Sequence, residues 1–176
     1  MIQVDSRILK AAKLFQAKND VRYYLKGIYI ETGRAIATDG HTAIICSEKG
    51  IEVEGKGIII DICGNIPVKA GMAYIQIVDS KTGIIRFKNN ETVLAFNILE
   101  GSYPNIDKVI PTDPKPADSL NINAAYIAKA SKASELLSYR GNGIKLTFYG
   151  DHKPVMAEIK NSEFKTKIMI MPIRGE

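Results

Sequence analysis

Two histidines and two cysteines hold most of the chemistry this chain of 176 residues could perform. Asp39 and His41 stand two apart in the turn Thr38-Asp39-Gly40-His41. A carboxylate that close to an imidazole could do acid–base work or help hold a metal. No nucleophile of suitable spacing accompanies them, and the other histidine, His152, falls in a different hairpin. His41 is therefore read as a structural or binding group, and no catalytic residue is assigned. Cys46 and Cys63 form no CxxC and no cluster with histidine, so a zinc site is not expected. Both are read as buried free thiols in a reducing compartment. No glycine-rich phosphate loop joins a strand to a helix, which disfavours nucleotide binding. Neither cofactor nor metal is expected.

Composition bounds the rest. Apolar residues make up 45% of the chain, enough for a real core, and charged residues 24%, an ordinary value for a globular protein. Lys and Arg number 24 against 19 Asp and Glu, a net charge of +5. That balance tolerates a polyanionic partner without demanding one. The opening MIQVDSRILK lacks the apolar core of a signal peptide. No apolar run approaches the roughly 20 residues that span a bilayer, so a cytoplasmic location is expected.

The elements that would carry these residues fall into three units of similar length, each a strand, a helix or its remnant, and three strands. In the first, Ile2 and Val4 alternate as a short strand. Asp5 or Ser6 can cap a helix through about Ala17, with Ile8, Ala12 and Phe15 as its apolar stripe. Strands are expected at about Val21–Lys26, Gly27–Thr32 and Arg34–Ile45, with Thr38–His41 as a turn. The second unit starts with a strand at Gly57–Ile62. Pro67 and the glycines of Gly64–Gly71 leave room for one helical turn at most. Strands at Ala73–Val78, Ile84–Lys88 and Thr92–Leu99 complete it. Three prolines in residues 111–118 predict an extended, semi-rigid linker. The third unit has a short strand at Leu120–Ile122 and a helix from an Asn123 cap to about Leu137. Strands at Gly143–Tyr149, Pro154–Lys160 and Phe164–Ile173 follow. The class is α+β, antiparallel sheet with helices on one face.

Three segments in order, VRYYLKGIYIETGRAIATDGHTAIIC, GSYPNIDKVIP and MIMPIR, give the chain a resemblance to the bacterial DNA polymerase III beta subunit, the sliding clamp. The chain is too short for a whole subunit of that family. Residues 1–110 resemble its middle domain, two repeat units with the second helix shortened. Residues 119–176 resemble the second half of its last domain. The resemblance implies the DNA-clamp fold, in which helices line a hole around DNA and sheets form the outside. It also implies a partner-peptide pocket walled by Leu25, Thr38, Gly40, His41, Pro104, Val109, Met169, Met171, Pro172, Ile173 and Arg174. Such a pocket takes short peptides bearing leucine and phenylalanine, and the residues suit that role. Methionine repacks around different anchors, proline stiffens a rim, and Lys108 and Arg174 could meet acidic or carbonyl groups. The family often has a basic then an aliphatic residue after the histidine, where this chain has Thr42 and Ala43. Replacing Leu25 and Met171 together by alanine should weaken peptide affinity and leave the melting temperature little changed.

The same resemblance gives Arg7, Lys10, Lys13, Lys18, Lys129 and Lys132 a DNA-facing role. Amphipathicity alone would make them a solvated helix face. The implied function is a non-enzymatic processivity factor that tethers DNA polymerase to duplex DNA. Further partners would be other proteins with clamp-binding motifs, including a clamp loader. One chain has too few units to surround a duplex, so a homo-oligomer is expected, with four copies matching the family's twelve units. The third unit, lacking a partner within the chain, should offer its sheet edge to another copy. A phage or mobile element would suit so short a clamp. The alternative is a pocket-bearing mimic that binds replication-protein peptides, or a host clamp, without encircling DNA.

Overall fold

The computed structural model of the protein describes residues 1–141 and 143–173. One antiparallel sheet runs through it. Its strands are β1 (Ile2–Asp5), β2 (Ile28–Glu31), β3 (Arg34–Thr38), β4 (Thr42–Ser47), β5 (Ile58–Ile62), β6 (Met72–Ile77), β7 (Thr82–Phe87), β8 (Asn90–Ile98), β9 (Ile144–Thr147), β10 (Val155–Ile159) and β11 (Lys165–Ile170). They lie in the order β1-β6-β7-β8-β5-β2-β3-β4-β11-β10-β9. Two helices, α1 (Ser6–Lys13) and α2 (Ala124–Leu137), pack on each other.

Strands β3 and β4 explain where the core sits. Both are apolar along nearly their whole length and are buried on both faces. Side chains alternate across a strand. Ala35, Ala37, Ile44 and Cys46 point to the helix side, where they meet Ile8, Leu9 and Phe15 of α1 and Ala130, Ala133 and Leu137 of α2. Ile36, Ala43 and Ile45 point the other way. They join Met156, Met169 and Ile106, with Tyr29, Tyr103, Ile110 and Tyr149 around them.

Both helices begin where capping chemistry puts them. The Asp5 carboxylate accepts the Arg7 amide at 2.8 Å, and the Asn123 side chain accepts the Ala125 amide at 2.9 Å. Helix α1 ends earlier than expected. After Lys13 the amides of Leu14 and Phe15 bond to the carbonyls of Ala11 and Ala12, a tightened last turn. Ala17 then donates to the Leu25 carbonyl and is lost to the helix. The strand expected at Val21–Lys26 is a 3₁₀ turn at Tyr23–Lys26. Asp20 starts it by accepting the Arg22 amide at 2.8 Å, the local side-chain bond that favours turns over strands. Residues 120–122 form no strand; the Asn121 carbonyl instead accepts the Ile173 amide at 2.8 Å.

The third unit does have a partner within the chain. β11 pairs with β4 in register from Lys165↔Ser47 to Ile170↔Thr42, so the first and third units share one sheet. The outermost strands are β1 and β9. Residues 63–71 form no helix. Lys13 holds the start of that loop, donating to the carbonyls of Ile62 at 2.9 Å and Gly64 at 2.7 Å. Cys46 is buried, and burial pushes its thiol up to about 12. Cys63 is exposed, against expectation, because β5 has ended and the loop turns outward.

Candidate functional site

The turn between β3 and β4 is wired by its own side chains. The Asp39 carboxylate accepts the amides of His41 at 2.9 Å and Thr42 at 2.6 Å, and the Thr42 hydroxyl at 3.0 Å. Its other oxygen takes the Lys129 ammonium from α2. Burial pushes this carboxyl up, but the Lys129 contact and the two amides outweigh it, and it titrates below the ordinary carboxylate value. The turn is thus fixed to α2. The His41 ring follows, lying parallel to the Tyr126 ring at 6.1 Å.

Across the sheet from the helices, residues 101–110 are fastened at two points. The Tyr103 hydroxyl accepts the Thr38 amide at 3.0 Å, and its ring stacks on Tyr29 at 5.1 Å. Burial raises the Tyr103 phenol, which stays protonated. Asp107 takes both ends of the Arg34 guanidinium at 2.8 and 2.7 Å, which holds its carboxyl low. Pro104, Lys108 and Val109 lie between or beside these anchors.

Those fastenings shape a cavity of about 800 Å³. Leu25, Thr38, Gly40, Pro104, Lys108, Val109, Met169 and Met171 line it. Four separated segments therefore bring eight of the twelve residues named from the sequence into one groove. Alternation along β3 and β11 explains part of this, since Thr38 and Met169 share the face of Ile36 and Ala43. Gly40 has a φ of +88°, and an added Cβ would lie 2.9 Å from the Arg22 guanidinium, so the turn passes close under that side chain. A hollow of similar size along the β7–β8 hairpin holds none of these residues.

The remaining four are placed otherwise. His41 does not line the groove; its ring faces Tyr126 and its carbonyl accepts the Met171 amide at 2.9 Å. Pro172 and Ile173 are outside the lining, and Ile173 is 49% exposed. Arg174 lies outside the described residues. Leu25 is fully buried and Val109 is 51% exposed, so the two are not equivalent wall residues. Removing Leu25 would cost about 2–5 kcal/mol of fold stability as a buried leucine. The double replacement should therefore lower the melting temperature markedly, where the sequence alone predicts little change.

The groove has a second part that the sequence reading did not include. Residues 111–115 run against the β9–β10 hairpin, with the Lys115 amide donating to Phe148 and its carbonyl accepting from Gly150. Thr112, Asp113, Lys115, Tyr149, His152 and Lys153 extend the lining there. The prolines of residues 111–118 predict a spacer, but Pro111 lines the groove and residues 111–115 form one of its walls. That they stiffen a wall becomes visible only through the pairing partner far along the chain.

The basic residues named for DNA divide. Arg7 is held by Asp5 and Glu163 and sits 4.9 Å over the Phe164 ring. Lys13 is bonded to the loop after β5, and its burial lowers its ammonium pKa. Lys129 is paired with Asp39. Lys132 is exposed and pairs with Glu135 at 3.5 Å. Lys10 is partly exposed on α1, and Lys18 lies exposed beyond that helix.

Comparisons with known proteins agree on one family of relatives. No family model matches the chain. The beta sliding clamp of Proteus mirabilis is 23% identical over 181 residues, covering 97% of this chain and 48% of its own length. That of Escherichia coli strain K12 is 27% identical over 184 residues, covering 96% and 48%. This chain thus spans about half the length of the relatives it matches. Among solved structures, the sliding clamp of Bacillus subtilis covers 99% of the chain at a TM-score of 0.70, with 64% of its own chain covered. The Caulobacter crescentus polymerase III beta structure gives 0.71, with 66% covered. Both are 16% identical to the chain and speak to fold. Over nearly its whole length this chain is similar to the bacterial DNA polymerase III beta subunit, and its fold is that of the sliding clamps.

Proposed function

We propose that this chain acts as a sliding-clamp-like processivity factor. It binds short apolar peptides of polymerases and related proteins in the groove around Met169 and Met171, and keeps them on duplex DNA. The observation that carries the reading is the convergence of Leu25, Thr38, Gly40, Pro104, Lys108, Val109, Met169 and Met171 on one cavity. An apolar cleft with a few polar groups on its rim suits a side-chain anchor. The groove and the helices lie on opposite faces of the sheet, so a peptide in the groove leaves the helix face free for DNA. Tethering raises local concentration and needs no catalytic group.

The test is a titration with a fluorescent peptide carrying leucine and phenylalanine. Val109→Glu should weaken binding about tenfold or more, because it puts a charge among apolar anchors. Val109 is half exposed, so the melting temperature should hold. Equal affinity for the wild type and Val109→Glu would remove the groove from the function.

A second reading is favoured by one observation. Arg7, Lys13 and Lys129 are engaged within the fold, which thins the positive charge left for phosphates. On that reading the chain binds the same peptides, or docks on a host clamp, without enclosing DNA.

A further inference from the structure

The groove is apolar inside and positively charged around. Its charged lining residues are Arg22, Lys108, Lys115 and Lys153, against one carboxylate, Asp113. Two of the four cations already have a neighbour: Arg22 pairs with Asp20 at 2.8 Å, and Lys115 pairs with Asp113 at 3.3 Å in an exposed contact. Lys108 and Lys153 have no carboxylate within ion-pairing distance among the described residues. Both are exposed. They come from different elements. Lys108 ends the 3₁₀ turn at Ile106–Lys108, which the Asp107–Arg34 pair holds to β3. Lys153 lies in the hairpin against which residues 111–115 run. Two fastened segments thus carry uncompensated positive charge to one apolar cleft.

We propose that this groove selects peptides in which acidic side chains flank the apolar anchors, with the carboxylates received by Lys108 and Lys153. The proposal rests on the peptide-binding reading above and names the chemistry of the partner. Charge complementarity argues for it, because like charges beside the same lysines would repel and neutral flanks would leave them unanswered. The apolar interior argues for a peptide over a nucleic acid. A phosphate backbone has nothing to place against Pro104, Val109 and Met171, the accessible apolar side chains of the lining.

Three peptides with one leucine and phenylalanine core, flanked by Asp and Glu, by Asn and Gln, or by Lys, are titrated into the 176-residue protein at low and high salt. The acidic peptide should bind about tenfold tighter than the neutral one at low salt, and the gap should close as salt screens it. In Lys108→Glu with Lys153→Glu the preference should invert toward the lysine-flanked peptide. A thermal melt checks that this double variant is folded. Equal affinity of the acidic and neutral peptides, with binding otherwise intact, overturns the proposal and leaves the peptide reading standing. No binding of any peptide overturns both. A double variant that keeps its acidic preference but loses duplex DNA assigns the lysines to nucleic acid and also overturns the proposal.

Discussion

Asp39 holds the site together at the scale of single residues. One carboxylate serves two amides and a hydroxyl of its own turn and the ammonium of a lysine 90 residues away. Asp39→Ala would leave those donors unpaired and strand a largely shielded Lys129. A loss of about 2–4 kcal/mol in chemical denaturation is expected. The folded carboxyl is depressed below its ordinary value of 3.8, so its stabilisation is complete above that value and fades as pH falls through the folded value. Denaturation midpoints measured on either side of pH 3.8 should therefore fall more steeply with acid in the wild type than in Asp39→Asn. Parallel slopes would mean that Asp39 gains nothing from folding. At this scale the sequence was informative about place and less so about direction. The Thr38–His41 turn is readable from its residue types, and Gly40 does line the groove. That the His41 ring faces Tyr126 depends on α2, which arrives from residues 124–137, and no local pattern carries that.

Between elements, the join of α1 to α2 makes the first and third units one body. Both helices bring buried alanines to the shared core, Ala11 and Ala12 from α1 and Ala130 and Ala133 from α2. Small side chains let the helices approach, and little space is left to fill. Ala133→Leu should overfill the junction and cost about 1–3 kcal/mol, read from urea denaturation. A neutral result would show the helices to be loosely apposed. Most strands were legible because apolar runs and turn residues alternate plainly, as in β6, β7 and β8. The misreadings share one cause. At Tyr23–Lys26 the β-prone residues Val21, Tyr23 and Tyr24 suggested a strand, but Asp20 and the Ala17–Leu25 bond favour a turn. An odd number of repeat units along the chain predicts a third unit without a partner. Pairing of β11 with β4 joins units that are not neighbours in sequence. The second half of the groove, from residues 111–115 and 149–154, was hidden for the same reason.

For the whole molecule, encirclement decides between the two readings. A tether that slides must close around duplex DNA, and on the proposed clamp reading the eleven strands and two helices of the described residues would supply one arc of such an assembly. Among the described residues β9 is an outermost strand, bridged by Lys115 only past its end at Phe148 and Gly150, and on the ring reading its Ile144–Thr147 edge would pair with another copy beside the exposed Leu146. Head-to-tail contacts of this kind close into a ring of fixed number or run on into filaments. Light scattering coupled to size exclusion, across a concentration series of the 176-residue chain, separates these outcomes. The account predicts one closed species of several copies, four by the count of repeat units, with a mass that holds on dilution. A monomer at every concentration would contradict encirclement and leave the groove as a peptide-binding module alone.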